Sequence, residues 1–255
     1  MLTDTQMRQW EEDGFVRLGQ VMSDAQLEAL RARIDDIMLG RIRYEGMYFQ
    51  LDSETGAYGD LKFNHGWTEA SLNYRKIQDL ERDPLFLEFM QHPTFRGLSR
   101  QLVAEEISVF RAMFMNKPAH RGTHLPYHQD GGDQWGLDRE HFVTVWTALD
   151  DATIENGCVQ VIPGSHKLGL LSAHGHTITA EQEAEFARDE DSVFLECRAG
   201  ESILLHNYVL HRSGINQIER PRRAFSVVYM DAATRSTKSG QAFPKIFGEG
   251  ALQPA

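Results

Sequence analysis

The sequence has little cysteine, no long hydrophobic run and no excess of basic residues, and each absence excludes a class of protein. Its two cysteines, Cys158 and Cys197, can form only one bridge, so a secreted disulfide scaffold is excluded and buried free thiols are expected. No apolar stretch approaches the roughly 20 residues that cross a membrane. The N-terminus carries Asp4, Glu11 and Glu12 where a signal peptide would need apolar residues. We therefore expect a cytoplasmic protein that does not bind a membrane.

Basic side chains are a minority in this chain. The 26 lysines and arginines face 37 aspartates and glutamates, which gives a net charge of −11 with neutral histidines. Binding to nucleic acid requires a basic face, so this composition argues against such a partner. The cluster Arg220, Arg222 and Arg223 could still bind a small anion. A small-molecule substrate is therefore the expected partner, and the sequence leaves the oligomeric state open.

The first third of the chain carries signals that start helices. Segments 3–6 and 23–26 have the spacing of a capping box, in which a hydroxyl and a glutamine satisfy the first backbone groups of a helix. Asp83 followed by Pro84 is typical of a helix start, with the acid as cap and proline at the first helical position. We therefore predict a helical N-terminal part over about residues 1–105.

The pattern changes to strands from about residue 106. Five segments rich in β-branched and aromatic residues are candidate strands: 107–115, 142–149, 158–162, 202–206 and 225–230. Asn156-Gly157, between two of these segments, predicts a hairpin because both residues tolerate positive φ. No repeat or flexible linker interrupts the chain. We predict an α+β, mainly β fold in a single domain over 1–255, with a barrel or sandwich core at about 106–235 buttressed by the N-terminal helices.

The segment 126–131, PYHQDG, carries the clearest chemical signal. Residues two apart in a strand point to the same side, so His128 and Asp130 could bind one metal ion together. An imidazole and a carboxylate suit ferrous iron, and a second histidine would complete the two-histidine, one-carboxylate facial triad. Because a His-x-Asp triplet also occurs by chance, the prediction depends on the third ligand.

The best candidate for that ligand lies in the segment 210–216, LHRSGIN, where His211 precedes Ser213. His206 remains an alternative, although it lies five residues earlier and would point to the opposite face of a regular strand. Downstream, Arg222 offers the planar fork that binds a carboxylate through two hydrogen bonds. Arg222 and Ser213 could therefore bind the far carboxylate of 2-oxoglutarate.

These residues lie among segments that resemble the phytanoyl-CoA dioxygenase family of Fe(II)/2-oxoglutarate-dependent oxygenases over nearly the whole chain. The resemblance is carried by segments 12–16 (EDGFV), 76–79 (KIQD), 116–118 (NKP), 155–158 (ENGC), 163–166 (PGSH) and 211–222, together with the His-x-Asp motif. Segment 76–79 looks like the lysine-bearing strand that contacts the co-substrate in phytanoyl-CoA hydroxylase.

The resemblance implies a fold, a cofactor set and a reaction. The fold is a double-stranded β-helix, which is a jelly roll of the cupin-like kind. The implied iron ligands are His128, Asp130 and His211. The residues implied to line the 2-oxoglutarate pocket are Lys76, Met113, Gln129, Trp146, Ser213 and Arg222. With O₂, such an enzyme hydroxylates or otherwise oxidises an unactivated C–H bond of a small organic substrate and releases succinate and CO₂.

Two other functions stay open on the sequence. One is a catalytically silent double-stranded β-helix that binds a small ligand, although the retained metal motif and Arg222 argue against it. The other is a cupin-like metalloenzyme that does not use 2-oxoglutarate. The substrate is not readable, but the polar and aromatic loops 44–67 and 131–139 are candidates for a recognition wall.

Overall fold

The computed structural model of the protein describes residues 1–62, 66–141, 143–172 and 176–254. Two sequence predictions fall partly outside these residues. They are the first position of the predicted strand 142–149 and residues 63–65 of the predicted loop 44–67.

The helices begin where the capping signals predict. Thr3 and Ser23 each form a complete capping box, and the Asp83 side chain accepts hydrogen bonds from the first turn of its helix. None of the described helices has the length and apolar composition needed to cross a membrane. The helices are α1 (Asp4–Asp13), α2 (Asp24–Met38), α3 (Pro84–Met90), α4 (Pro93–Leu102) and α5 (Ala180–Phe186).

Strands dominate the rest of the described chain, and the five predicted strands are confirmed as β4, β6, β7, β9 and β11. The strands are β1 (Phe15–Gln20), β2 (Tyr48–Leu51), β3 (Tyr74–Gln78), β4 (Ile107–Lys117), β5 (Leu125–His128), β6 (Val143–Ala148), β7 (Val159–Val161), β8 (Val193–Leu195), β9 (Glu201–His206), β10 (His211–Ser213), β11 (Arg222–Asp231) and β12 (Lys245–Phe247).

The strands form two antiparallel sheets. The larger has the order β1-β9-β6-β11-β4-β3-β2, with β12 also paired to β4, and the smaller has the order β5-β10-β7-β8. From β4 to β11 the chain alternates between the two sheets, except that β7 and β8 pair with each other in the smaller one, and this is the arrangement of a jelly roll. The predicted mainly β, double-stranded β-helix with N-terminal helices is therefore confirmed. The N-terminal part contains the predicted helices and also β1, β2 and β3, which extend the larger sheet at its two edges.

The predicted hairpin at Asn156-Gly157 is also wrong. Strand β6 pairs with β9 and β11, whereas β7 pairs with β8 and β10, so the turn crosses from one sheet to the other. Only Gly157 has a positive φ, at 76°, and a Cβ there would lie 2.6 Å from the carbonyl oxygen of Gly214. This turn therefore requires glycine because the two chain segments approach closely.

Alternation along β11 separates the hydrophobic core from the interior of the jelly roll. Phe225 and Tyr229 point outward and pack with the N-terminal helices; the Phe225 ring lies 4.9 Å from that of Phe86 in α3. Arg222 and Ser226 point inward, toward the smaller sheet, and line a cavity. Strand β11 thus has one face in the core and one face at the candidate site.

Candidate active site

A cavity of about 270 Å³ lies between the two sheets. This volume is close to the lower end of the range for small-molecule sites, which is about 300–1,000 Å³. Eight of the nine residues predicted to bind metal or co-substrate line it: Lys76, Met113, His128, Asp130, Trp146, His211, Ser213 and Arg222. The fold therefore brings together residues from both sheets that are far apart in the sequence.

Gln129 is the one predicted site residue that the structure places elsewhere. Its side chain is buried and donates hydrogen bonds to the carbonyl oxygens of Gly169, at 2.8 Å, and Tyr208, at 2.7 Å. Its amide oxygen accepts a third from the backbone N–H of Leu171. The side chain of Gln129 therefore links two neighbouring chain segments to the end of β5. Both of its amide N–H donors are used, so neither is left to bind a co-substrate.

Two histidines face each other in the smaller sheet. His128 ends β5, His211 begins β10, and the two are paired in register with ring centroids 4.0 Å apart. The Nδ1 atom of His128 lies 2.8 Å from the carbonyl oxygen of Pro126, and that of His211 lies 3.0 Å from the carbonyl oxygen of Val209. A carbonyl can only accept, so each Nδ1 carries the proton and each Nε2 is left with a free lone pair.

Asp130 supplies a carboxylate beside these rings. One of its oxygens lies 3.8 Å from Nε2 of His211, and the other lies 3.6 Å from Nε2 of His176. Burial opposes its ionisation, but the adjacent His176, His211 and His128 outweigh burial and hold the pKa of Asp130 far below its usual value. The pKa of His128 is lowered strongly, chiefly by burial. A neutral imidazole beside an ionised carboxylate is the protonation pattern of a metal site.

His176 is a further candidate ligand that sequence reasoning missed. The ligand atoms of His128, Asp130 and His176 all lie within 4.8 Å of one another. Nδ1 of His176 lies 3.3 Å from the hydroxyl of Tyr58. Because His176 belongs to no strand and has no carboxylate at ligand spacing in the sequence, no periodic pattern could have revealed it. The structure therefore offers two histidines, His211 and His176, for the third position.

His206, the alternative ligand from the sequence, does not line the cavity. Its ring lies 5.4 Å from that of Trp10 in α1 and 4.9 Å from that of His166. His206 ends β9 in the larger sheet, whereas His211 begins β10 in the smaller one, so the change of sheet, and not the period of one strand, separates the two histidines.

Arg222 and Ser213 lie together in the cavity wall. Arg222 is 3% exposed and donates one hydrogen bond, of 3.1 Å, to the carbonyl oxygen of Gly157. Its Nε atom is buried and has no hydrogen-bond partner among the described residues. Burial lowers the pKa of Arg222 to about 10, so the side chain remains charged at neutral pH. A buried guanidinium with unused donors is suited to bind a carboxylate.

Three more cations surround the cavity. Lys76 on β3 was predicted, whereas its neighbour Arg75 and Arg111 on β4 were missed. Burial lowers the pKa of Lys76 to about 7. Arg75 donates a 2.9 Å hydrogen bond to the side chain of Gln50. Arg111 could have been found from the sequence, because it lies two residues before Met113 and a strand places both on one face.

Both loops proposed for substrate recognition reach the cavity. Tyr58 comes from the loop 44–67, and Gln134 and Trp135 come from the loop 131–139. Short 3₁₀ turns, Tyr58–Asp60 and Asp133–Trp135, carry these side chains. The described parts of the two loops therefore form part of the wall around the histidines.

Solved structures with the same fold cover almost all of this chain. The non-haem monooxygenase ThoJ has a TM-score of 0.72 at 22% identity and covers 97% of this chain and 86% of its own. EctD from S. alaskensis with 2-oxoglutarate and 5-hydroxyectoine has a TM-score of 0.72 at 18% identity, over 100% and 86%. The epimerase SnoN in complex with Fe3+, alpha ketoglutarate and nogalamycin RO has a TM-score of 0.70 at 18% identity, over 99% and 92%. At these identities the likeness shows the fold alone.

Relatives found by sequence point to one family. Phytanoyl-CoA dioxygenase from Arabidopsis thaliana is 26% identical over 249 residues, covering 89% of this chain and 88% of the relative. Peroxisomal phytanoyl-CoA dioxygenase from Homo sapiens is 24% identical over 242 residues, covering 91% and 69%. The family model "Phytanoyl-CoA dioxygenase (PhyH)" matches residues 10–224. Because this match spans most of the sequence, the resemblance is confirmed and the chain belongs to the phytanoyl-CoA dioxygenase (PhyH) family.

Proposed function

We propose that this protein is a non-haem iron(II)- and 2-oxoglutarate-dependent dioxygenase. It oxidises an unactivated C–H bond of a small organic substrate, most simply by hydroxylation, and releases succinate and CO₂. One observation carries the proposal: two histidines and an aspartate meet in a cavity whose opposite wall presents Arg222, a buried cation with unused donors. The metal centre and the co-substrate site are thus adjacent, as this chemistry requires.

The donor set fits ferrous iron. His128, Asp130 and His211 would hold the ion, with both imidazoles offering Nε2 because backbone carbonyls occupy their Nδ1 protons. Two imidazoles and one carboxylate leave open coordination positions for further ligands. When bound there with a 2-oxo acid, the ion supplies the oxygen-activating chemistry. The protein orients the reactants and excludes water from them.

The residues that line the rest of the cavity fit a dicarboxylate. Arg222 would bind the carboxylate remote from the metal through its planar fork, and Ser213 would add a hydroxyl donor. Lys76 would contribute a second positive charge, and the apolar surfaces of Met113 and Trp146 would flank the carbon chain. These five residues come from five strands of the two sheets, so the pocket exists only in the folded chain.

The comparisons support this assignment over the two alternatives. The EctD structures contain iron in one case and 2-oxoglutarate in another, and the SnoN complex contains both. A silent binding protein has no need for the aspartate or for a buried unpaired arginine. Asp130 also favours oxidation over halogenation, because related halogenases carry a small residue in its place.

The test is an anaerobic titration with ferrous iron and 2-oxoglutarate, followed by visible spectroscopy. We expect a charge-transfer band from the wild-type protein, and succinate release together with a mass gain of one oxygen when a substrate panel and air are added. Asp130→Ala should abolish turnover. Arg222→Gln should weaken 2-oxoglutarate binding roughly 10- to 100-fold, the effect of losing about 1.5–3 kcal/mol of charge-assisted hydrogen bonding.

Arg220→Gln is the matched control, because it removes an exposed arginine two residues from Arg222. It should leave the band and turnover unchanged. Metal-dependent oxidation without succinate would support the cupin-like alternative, and failure to bind any metal would support the silent one. Unchanged substrate oxidation by Asp130→Ala would overturn the ligand assignment.

A further inference from the structure

The cavity is strongly basic although the chain as a whole is acidic. Five basic side chains line it, against a single carboxylate, that of Asp130. The basic side chains are Arg75, Lys76, Arg111, Arg212 and Arg222. Arg212 is already neutralised, since it forms an ion pair with Asp189 and a 2.8 Å hydrogen bond with Gln160. The others have no ion pair of 4 Å or less with any residue in the described ranges. Cations withdrawn from water need a counter-charge, so the cavity is built to hold anions.

A bound 2-oxoglutarate would neutralise only part of this charge. The proposed function assigns Arg222 and Lys76 to the co-substrate, which leaves Arg111 and Arg75. Arg75 has a hydrogen-bond partner in Gln50. Arg111 has neither a hydrogen bond nor an ion pair within the part of the chain that the structure describes. It is therefore the cation most in need of a further partner.

The aromatic contacts of Arg111 orient it without neutralising it. Its guanidinium carbon lies 4.0 Å from the ring centroid of Trp135 and 4.8 Å from that of Phe110. A cation over an aromatic face gains about 0.5–2 kcal/mol, but the ring carries no net charge. These contacts use none of the N–H donors of Arg111, which lines the cavity, so the donors are available to a ligand there.

Arg111 and Arg222 belong to different parts of the cavity. In the paired strands β4 and β11, Arg222 lies opposite Lys117 and Arg111 lies opposite Val228, so six residues separate the two positions. At about 3.3 Å per residue this is roughly 20 Å along the strands. Arg111 lies instead near Asp130, whose charge is the largest influence opposing the lowering of its pKa by burial. Arg111 is thus on the substrate side of the proposed metal centre.

We propose that Arg111 binds a carboxylate of the substrate, so that this enzyme acts on a small organic acid. The inference rests on the proposed function, because it takes Arg222 as the partner of 2-oxoglutarate. A guanidinium presents parallel N–H groups, which match the two oxygens of a carboxylate, and that of Arg111 lies over the ring of Trp135 in the cavity wall. Gln134 and Tyr58 supply uncharged polar groups to the same wall. The substrate class is therefore set by one cation.

The test uses benzoate and its uncharged analogue benzamide as probes. The full-length protein is loaded anaerobically with ferrous iron and 2-oxoglutarate, and each probe is titrated by calorimetry. We expect benzoate to bind at least about tenfold more tightly than benzamide to the wild-type protein. Arg111→Gln should lower the benzoate affinity to that of benzamide, while its charge-transfer band shows that metal and 2-oxoglutarate still bind with affinities within about threefold of wild type.

Arg41→Gln is the matched control, since Arg41 is exposed and pairs with Asp36 outside the cavity. It should bind both probes as the wild type does. The proposal is overturned if wild-type protein binds benzoate no better than benzamide, or if Arg111→Gln leaves benzoate binding unchanged. It is also overturned if Arg111→Gln weakens 2-oxoglutarate as much as Arg222→Gln does, because Arg111 would then serve the co-substrate.

Failure of the proposed function gives a different result. In that case the wild-type protein shows no charge-transfer band, whatever the probes do. The preference for benzoate over benzamide is measured on wild-type protein, so its absence overturns the inference even if Arg111→Gln does not fold.

Discussion

The three histidines around Asp130 differ in how their rings are held. Backbone carbonyls two residues earlier fix the rings of His128 and His211, and a carbonyl accepts only. His176 instead contacts the hydroxyl of Tyr58, which can donate or accept, so its tautomer is not fixed. Fixed rings with free Nε2 atoms bind a metal with less loss of entropy. We therefore expect His211, rather than His176, to be the third ligand.

Substituting these two histidines separates their roles. His211→Gln should weaken Co(II) or Fe(II) binding by more than 100-fold, because it removes a ligand. His176→Gln should weaken it by at most about 10–100-fold, the usual effect of losing a residue that supports a ligand. The measurement is the metal dissociation constant, determined by competition with a chelator. The reverse order of the two effects would assign the third position to His176.

Lys76 should make 2-oxoglutarate binding depend on pH. Burial, together with Arg111 and Arg75, lowers its pKa to about 7 against the attraction of Asp130. Below pH 7 the ammonium is already charged in the free protein, so the dissociation constant should be flat. Above pH 7 binding must take up a proton, because the incoming carboxylate raises the pKa of Lys76. The dissociation constant should therefore rise with pH, by at most tenfold per unit.

The check is a series of anaerobic titrations from pH 6 to pH 9 on wild type and on Lys76→Met. The variant should bind 2-oxoglutarate more weakly at pH 6 and should show no rise that begins near pH 7. A wild-type curve that is flat over the whole range would mean that Lys76 does not contact the co-substrate.

Period-two alternation explains which site residues the sequence could predict. It places His128 and Asp130 on one side of β5 and its continuation, and the same rule turns Gln129 to the other side. Only the family resemblance predicted that Gln129 lies in the 2-oxoglutarate pocket. Its side chain instead makes hydrogen bonds outside the cavity, as the alternation predicts. Arg111 follows the rule too, but an arginine inside a jelly roll is recognisable only when the strand's faces are known. His176 follows no periodic rule.

At the scale of elements, Asp83 joins helix α3 to the helix before it. One carboxylate oxygen accepts from the backbone N–H groups of Leu85 and Phe86, which caps α3. The other accepts from Arg33 in α2 and from the hydroxyl of Tyr44, both at 2.7 Å. The side chain of Asp83 is 0% exposed and that of Arg33 is 25% exposed, so the ion pair is buried at its acidic end only.

Asp83→Ala should therefore lower the free energy of unfolding by about 2–4 kcal/mol, because it removes a partly buried ion pair as well as a cap. Asp83→Asn keeps a side-chain oxygen that can cap α3, so it should lower the free energy of unfolding by less than Asp83→Ala does. Thr3→Ala is the matched control, since Thr3 caps α1 at an exposed position and its loss should cost about 1 kcal/mol. Urea denaturation measures all three. Equal losses for Asp83→Ala and Thr3→Ala would show that the ion pair contributes nothing.

The elements that sequence reasoning missed are short or lie at sheet edges. Strands β8 and β10 have three residues each and β5 has four, which is too short for an alternating pattern to stand out. Yet β5 and β10 carry the two histidines. The predicted helices, by contrast, are recognisable in the sequence, because each capping signal lies within four consecutive residues. Local signals thus predict the helices, whereas long-range pairing defines the strands at the site.

At the scale of the whole molecule, the proposed ligands would join the two sheets. The histidines belong to β5 and β10 of the smaller sheet, whereas Arg222 and Lys76 belong to β11 and β3 of the larger one. No local pattern predicts that these strands face each other; that part of the fold followed only from the family resemblance. A metal ion bound to one sheet and a dicarboxylate bound between them would hold the sheets at a fixed separation.

Ligand binding should consequently stabilise the fold in two separable steps. A ligand that binds only the folded state at 100 times its dissociation constant adds about 2.7 kcal/mol to the free energy of unfolding. For a chain of this size each step corresponds to a rise in Tm of roughly 5–10 °C. We expect one rise with ferrous iron under anaerobic conditions and a second with 2-oxoglutarate, measured by calorimetry. A chelator should reverse both, because the co-substrate also binds through the metal.

The variant Arg222→Gln separates the stabilisation by iron from the stabilisation by 2-oxoglutarate. The rise in Tm on adding iron should be the same for this variant as for wild type, because Arg222 does not touch the metal ligands. At the same concentration of 2-oxoglutarate, a 10- to 100-fold weaker affinity reduces the stabilisation by 2-oxoglutarate from about 2.7 kcal/mol to about 0.4–1.4 kcal/mol. If 2-oxoglutarate stabilises the variant as much as wild type, the dicarboxylate does not span from the metal to Arg222. The two sheets would then be held together by their own packing alone.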